Sequence, residues 1–87
     1  MTHSILIVDD DLEIRQVLRI GLTQAGFETQ EAGDEAEGLA KATSGRFDLV
    51  ILDIGLPRMD GLEVCRVLRQ THATPILFLT ARDDEID

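Results

Sequence analysis

Short apolar runs alternate along the chain with stretches whose apolar residues recur every three or four positions. Residues 4–8 carry Ile5, Leu6, Ile7 and Val8 in succession, a run of the kind buried on both faces of a parallel sheet. From Leu12 the spacing turns helical: Ile14, Val17, Leu18, Gly21, Leu22 and Ala25 recur, Arg15, Gln16, Arg19 and Gln24 fall between them, and Gly26 supplies a stop. This predicts a helix from about residue 11 to residue 25. Residues 27–32 are more polar, with Glu28, Thr29, Gln30 and Glu31 in sequence, which suits an exposed edge strand guarded by charge.

Asp34 followed by Glu37 is a capping-box variant that opens a second helix through Leu39, Ala40 and Ala42, ended by Ser44-Gly45. Residues 48–52 read as a third, central strand. The stretch from Asp53 to Gly61 is rich in turn residues, and Asp60 with Glu63 repeats the capping pattern before Leu62, Cys65 and Leu68 on a third helix. Pro75 then opens a fourth strand, residues 76–79. Strands and helices that alternate with short links imply right-handed crossovers and an open parallel sheet covered on both sides, an α/β fold in one domain over residues 1–87.

Charge and composition narrow the function classes. With 8 basic against 17 acidic residues the formal charge is −9, which argues against a surface built to neutralise phosphates and for one that binds cations. Cys65 is the single cysteine, so no internal disulfide or multi-cysteine zinc site can be drawn, and a reducing cytoplasmic compartment is the expectation. No apolar run approaches the roughly 20 residues of a membrane helix, and Met-Thr-His-Ser leads into a strand without a basic region or cleavage site.

Candidate chemistry gathers where the strands end. Asp9 and Asp10 close the first run and Asp53 closes the third. If those runs are neighbouring parallel strands, three carboxylates converge on one sheet edge, where like charges repel unless a cation joins them. In open α/β sheets ligands bind beyond the carboxyl ends of the strands, and Thr80 shares that rim. Mg2+ suits such a set, because it takes oxygen ligands, keeps several waters and needs only one or two carboxylates plus a phosphate oxygen. Asp53 is followed by a loop rather than a helix, which leaves it open to act as a nucleophile on phosphorus, while Asp9 and Asp10 adjoin a helix start and can orient metal. Taken alone, Asp9 and Asp10 would be ordinary helix-cap acids, and Asp11 reads as a cap or solvated acid. His3 and His72 lack ligand spacing and read as solvated or structural.

Three segments in order, Ile-Leu-Ile-Val-Asp-Asp-Asp, Leu-Asp-Ile-Gly-Leu-Pro-Arg-Met-Asp-Gly and Pro-Ile-Leu-Phe-Leu-Thr-Ala, resemble the receiver domains of two-component response regulators over nearly the whole chain. The resemblance implies a flavodoxin-like sheet of order 2-1-3-4-5 in which Asp53 accepts a phosphoryl group from a histidine kinase. It also implies that Asp9, Asp10 and Asp53 bind Mg2+, with the main-chain carbonyl of Gly55 as a further metal ligand. Thr80 falls on the switch hydroxyl that would hydrogen-bond a phosphoryl oxygen, and Pro57 and Gly61 would shape the loop beside the acceptor. A longer parent protein of this family often carries a DNA-binding effector domain.

Against that pattern, the 87 residues end where the family's fourth helix would begin, so the expectation is a truncated receiver with sheet order 2-1-3-4 that lacks the family's strand five and helix five. The lysine that the family places at the end of strand five falls in that missing part, and Lys41, on the second helix, cannot stand in for it. Phosphorylation of Asp53 is accordingly expected to be slow or absent. Ile76, Leu77, Phe78 and Leu79 would form an uncovered edge, each side chain worth roughly 1.5–3 kcal/mol when buried, which predicts a homodimer through the strand-four side. Two alternatives to the phosphoacceptor stay open: a folded or self-associating fragment without phosphorylation-dependent switching, and an aspartate-dependent phosphatase. The second wants another acid two residues after the nucleophile, where this chain has Gly55, so the expectation is that the chain is not an enzyme.

Overall fold

The computed structural model describes residues 2–53, 66, 69 and 74–79, with the backbone alone at residues 35, 53 and 79. Chain order is β1 (Ser4–Val8), α1 (Leu12–Gln24), β2 (Glu28–Ala32), α2 (Glu35–Ser44), β3 (Leu49–Asp53) and β4 (Ile76–Leu79). The four described strands form one parallel sheet in the order β2-β1-β3-β4 expected from the sequence. The third helix expected after Asp60 lies outside the described residues apart from Arg66 and Arg69, both of which are helical.

Strand β1 sits between β2 and β3, so neither edge meets water, and α1 and α2 cover its two faces; Leu6 and Ile7 are wholly buried. Its alternation divides the core in two. Leu6 and Val8 join Ala32, Val50 and Leu52 under α2, where Ala42 is buried and Leu39, Phe47 and Ile76 pack against them. Ile5, Ile7 and Ile51 lie on the opposite face, under Leu18 and Leu22 of α1, with Phe27 and Leu49 at the margin.

Local signals set both helix ends. Asp11 is the N-cap of α1 and its carboxylate accepts from the amides of Glu13 and Ile14. The helix closes in a Schellman arrangement: Gly26 at φ 100° donates its amide to the Thr23 carbonyl, and Phe27 donates to that of Leu22. A residue with a side chain is strained at that φ, which is why glycine supplies the stop. Asp34 caps α2 by accepting from the Glu37 amide at 2.7 Å, and Glu37 reaches back to accept from the Gly33 amide at 3.0 Å. That donated bond, reinforced by Lys41 at 3.3 Å, holds the Glu37 carboxyl below its ordinary range.

Helix α2 lies close on the sheet because position 38 has no side chain. A Cβ there would stand 2.8 Å from both methyl carbons of Val8, an overlap in which one of the two must move. The backbone of α2 is thereby seated on the residue that immediately precedes Asp9.

Two details depart from the sequence reading. Val17, expected on the apolar side of α1, is 69% exposed, and α1 has no fully buried residue; it rests on the sheet through Leu18 and Leu22. The third strand begins at Leu49 rather than Asp48, because the Asp48 side chain is committed to accepting from the Ser4 amide at 2.7 Å, with His3 at 3.4 Å. Among the described residues no helix is long and apolar enough to cross a membrane.

Candidate functional site

Parallel register places the acids. Val8 pairs with Leu52, so Asp9 and Asp53 occupy the next position on adjacent strands, whose separation is about 4.8 Å. On its other side Asp53 pairs with Leu79, the last residue of β4. The side chain of Asp53 lies outside the described residues, as do Thr80, Gly55, Pro57 and Gly61, so the roles expected of them stand as expectations.

Asp9 is buried at 3% exposure, whereas Asp10 and Asp11 are exposed. The three consecutive acids therefore divide their work. Asp11 caps α1; Asp9 accepts from the Asp11 amide through Oδ1 at 2.9 Å; Asp10 leaves the sheet toward solvent between them. The main chain of Asp9 is fixed as well, because its amide donates to the Ala32 carbonyl at 3.1 Å and its carbonyl accepts from Arg15 Nη1 at 2.6 Å.

Arg15 is the residue whose part in the site the sequence reading missed. Its Nε donates to Glu31 Oε1 at 3.1 Å, while Arg19 Nε stands 2.9 Å from the other carboxylate oxygen, so one glutamate of β2 is gripped by two arginines one helical turn apart. Lys41 donates to the Glu31 carbonyl at 2.6 Å. The signal was the spacing of Arg15 and Arg19, which puts both on one flank of a helix that precedes an acid-bearing strand.

Among the described side chains no three His, Cys, Asp or Glu are grouped so that they alone could hold a metal ion, a statement that takes in Asp9 and Asp10 but not the side chain of Asp53. The donor set at the rim is nevertheless of one chemical kind. Asp9 and Asp10 offer only hard carboxylate oxygens, one buried and held, one exposed, and this fits Mg2+ and not a metal that prefers nitrogen or sulfur. A buried carboxylate at a strand end beside a solvent-facing one can bind a cation that keeps part of its water and meets a phosphate.

A family model described as the response regulator receiver domain matches residues 5–87. The DNA-binding response regulator MtrA of Mycobacterium tuberculosis (strain H37Rv) is 45% identical over 87 residues, which is all of this chain and 38% of MtrA. The chain spans less than two-fifths of the length of the curated relatives it matches first. Among solved structures, the response regulator TrrA of Thermotoga maritima in complex with Mg2+-BeF superposes with a TM-score of 0.84 at 42% identity, over 95% of this chain and 72% of TrrA. TrrA bound to the histidine kinase ThkA gives a TM-score of 0.80 at 43% identity, over 93% of this chain and 70% of the matched one.

Proposed function

The chain belongs to the response regulator receiver domain family, and on that footing we propose that Asp53 accepts a phosphoryl group from a histidine kinase while Asp9 and Asp10 hold Mg2+ beside it. The observation that carries this reading is the parallel register that brings the end of β1, with its two acids, alongside Asp53 at the end of β3. The TrrA complexes support it, one with Mg2+-BeF and one with a kinase.

In the proposed reaction a carboxylate oxygen of Asp53 attacks phosphorus. An O–P bond forms, the N–P bond of the donor histidine breaks, and the imidazole leaves with the electron pair and takes up a proton. Bound Mg2+ would offset the negative charge of the transferring group. The chain's own contribution is position: β1 and β3 hold the acids at one rim, and the held main chain of Asp9 fixes where Asp10 departs. Asp53 and the Gly55 carbonyl complete the metal ligands in this proposal, and the Thr80 hydroxyl meets a phosphoryl oxygen. The chain acts as a phosphoacceptor and not as an enzyme that turns over free substrate, and it works in the cytoplasm. With a charge of −9, this segment leaves any DNA contact of a longer protein to other residues.

An NMR titration of the chain with Mg2+ and then beryllofluoride tests the site. Mg2+ is expected to shift the amides of residues 9–11, and beryllofluoride to move those around Asp53. A spectrum unmoved by either would favour the folded fragment without signalling. Leu77 and Phe78 remain 52% and 40% exposed on opposite faces of β4, which supports a homodimer through that side. Sedimentation velocity is expected to show a concentration-dependent dimer, and a folded monomer at all concentrations would refute it.

A further inference from the structure

We propose that Arg15 is a positioning residue for the metal, acting through the main chain of Asp9; this rests on the Mg2+ reading of Asp9 and Asp10 given above. Side chains of a helix lean toward its N-terminus, and Arg15, in the first turn of α1, reaches back over the β1–α1 turn to the Asp9 carbonyl at 2.6 Å. That carbonyl belongs to the peptide joining Asp9 to Asp10. Holding it sets the plane from which the Asp10 side chain departs, just as the Asp11 amide sets the Asp9 carboxylate and the Ala32 carbonyl sets the Asp9 amide.

The guanidinium cannot drift from this post. Its side chain is 16% exposed, and its Nε is engaged by Glu31, which Arg19 holds from the other oxygen. The planar fork of arginine spans the two acceptors, the Asp9 carbonyl and the Glu31 carboxylate, in one rigid unit, and a lysine has no second donor so placed. Glu31 lies beside Ala32, whose carbonyl holds the Asp9 amide, so the edge strand and α1 grip the acidic turn from both sides.

The sign of the effect separates positioning from plain electrostatics. Arg15 is a cation near a proposed cation site, so removing its charge should by Coulomb's law tighten Mg2+ binding. Removing a group that orients a metal ligand has the opposite result, typically about 10–100-fold weaker binding. In a Mg2+ titration followed by the amides of residues 9–11, Arg15→Met is expected to raise the Kd by about tenfold or more. Arg19→Met, which loosens the same glutamate but leaves the Arg15 bond to Asp9 in place, is expected to weaken binding much less than Arg15→Met does.

Equal or tighter binding by Arg15→Met would overturn the inference, as would equal weakening in both variants, which would mark a merely structural ion cluster. If Arg15→Met does not fold, Arg15→Lys decides: its single ammonium cannot span both acceptors, so weaker binding supports the inference and unchanged binding overturns it. An unmodified chain that binds no Mg2+ would overturn the metal reading and this inference together, whereas binding by the unmodified chain and undiminished binding by the variants would remove Arg15 alone.

Discussion

Asp53→Asn takes up no phosphoryl group even in an incubation with a small acyl phosphate and Mg2+ long enough to reveal the slow labelling expected of the unmodified chain. The substitution is nearly isosteric, so β3 and its pairing with β1 and β4 persist, yet the carboxamide lacks the charge and the nucleophilic oxygen that attack on phosphorus requires. The expected loss is complete, because positioned charge and a competent acceptor are almost all that such a transfer demands of the protein. Intact-mass spectrometry after labelling checks it, with circular dichroism to confirm the fold. Labelling retained in Asp53→Asn would place the acceptor elsewhere. Asp9→Asn in the same assay separates the roles, since it is expected to raise the Mg2+ needed for labelling while leaving the acceptor intact.

The second large effect falls on the core. Leu6 is fully buried on an inner strand among Val8, Ala32, Ala42, Val50 and Leu52, and Leu6→Ala opens a cavity in that cluster. Such substitutions cost about 2–5 kcal/mol. Against a typical net stability of about 5–15 kcal/mol this removes a large share. The urea midpoint of Leu6→Ala is expected to fall steeply with little change in slope. Val17→Ala supplies the contrast, because a side chain 69% exposed should change stability by no more than about 0.5 kcal/mol. A midpoint for Leu6→Ala close to that of the unmodified chain would mean that the two core clusters are not the source of stability.

The elements legible in the sequence are those with a single burial solution. Ile5 to Val8 and Leu49 to Leu52 are too short for helices and too apolar for edges, so they had to be inner strands, and their terminal acids followed to one rim. The capping roles of Asp11 and Asp34 were legible because caps are local. The order of the strands came from family resemblance, since periodicity says that strands are parallel without saying which are neighbours. Arg15 was missed for the same physical reason. Its partners Asp9 and Glu31 lie 6 and 16 residues away, and an arginine between apolar positions reads as a solvated flank until the edge strand is laid beside it. Val17 erred in the other direction, because a helix that leans on the sheet through Leu18 and Leu22 leaves part of its apolar stripe uncovered.

The bond from Lys41 to the Glu31 carbonyl has a consequence for how copies of the sheet can grow. In β2 the carbonyl of Ala32 faces β1, so that of Glu31, one residue earlier, faces outward, and the Lys41 ammonium caps it at 2.6 Å. One outward acceptor of the β2 edge, the one nearest the acidic turn, is therefore stoppered by a charge, while β4, at the other edge of the described strands, offers apolar residues. Head-to-tail stacking of β4 on β2, which would propagate into an open filament, would have to displace that ammonium. In the homodimer proposed above, pairing of β4 with β4 would instead be a two-fold arrangement that closes after two copies.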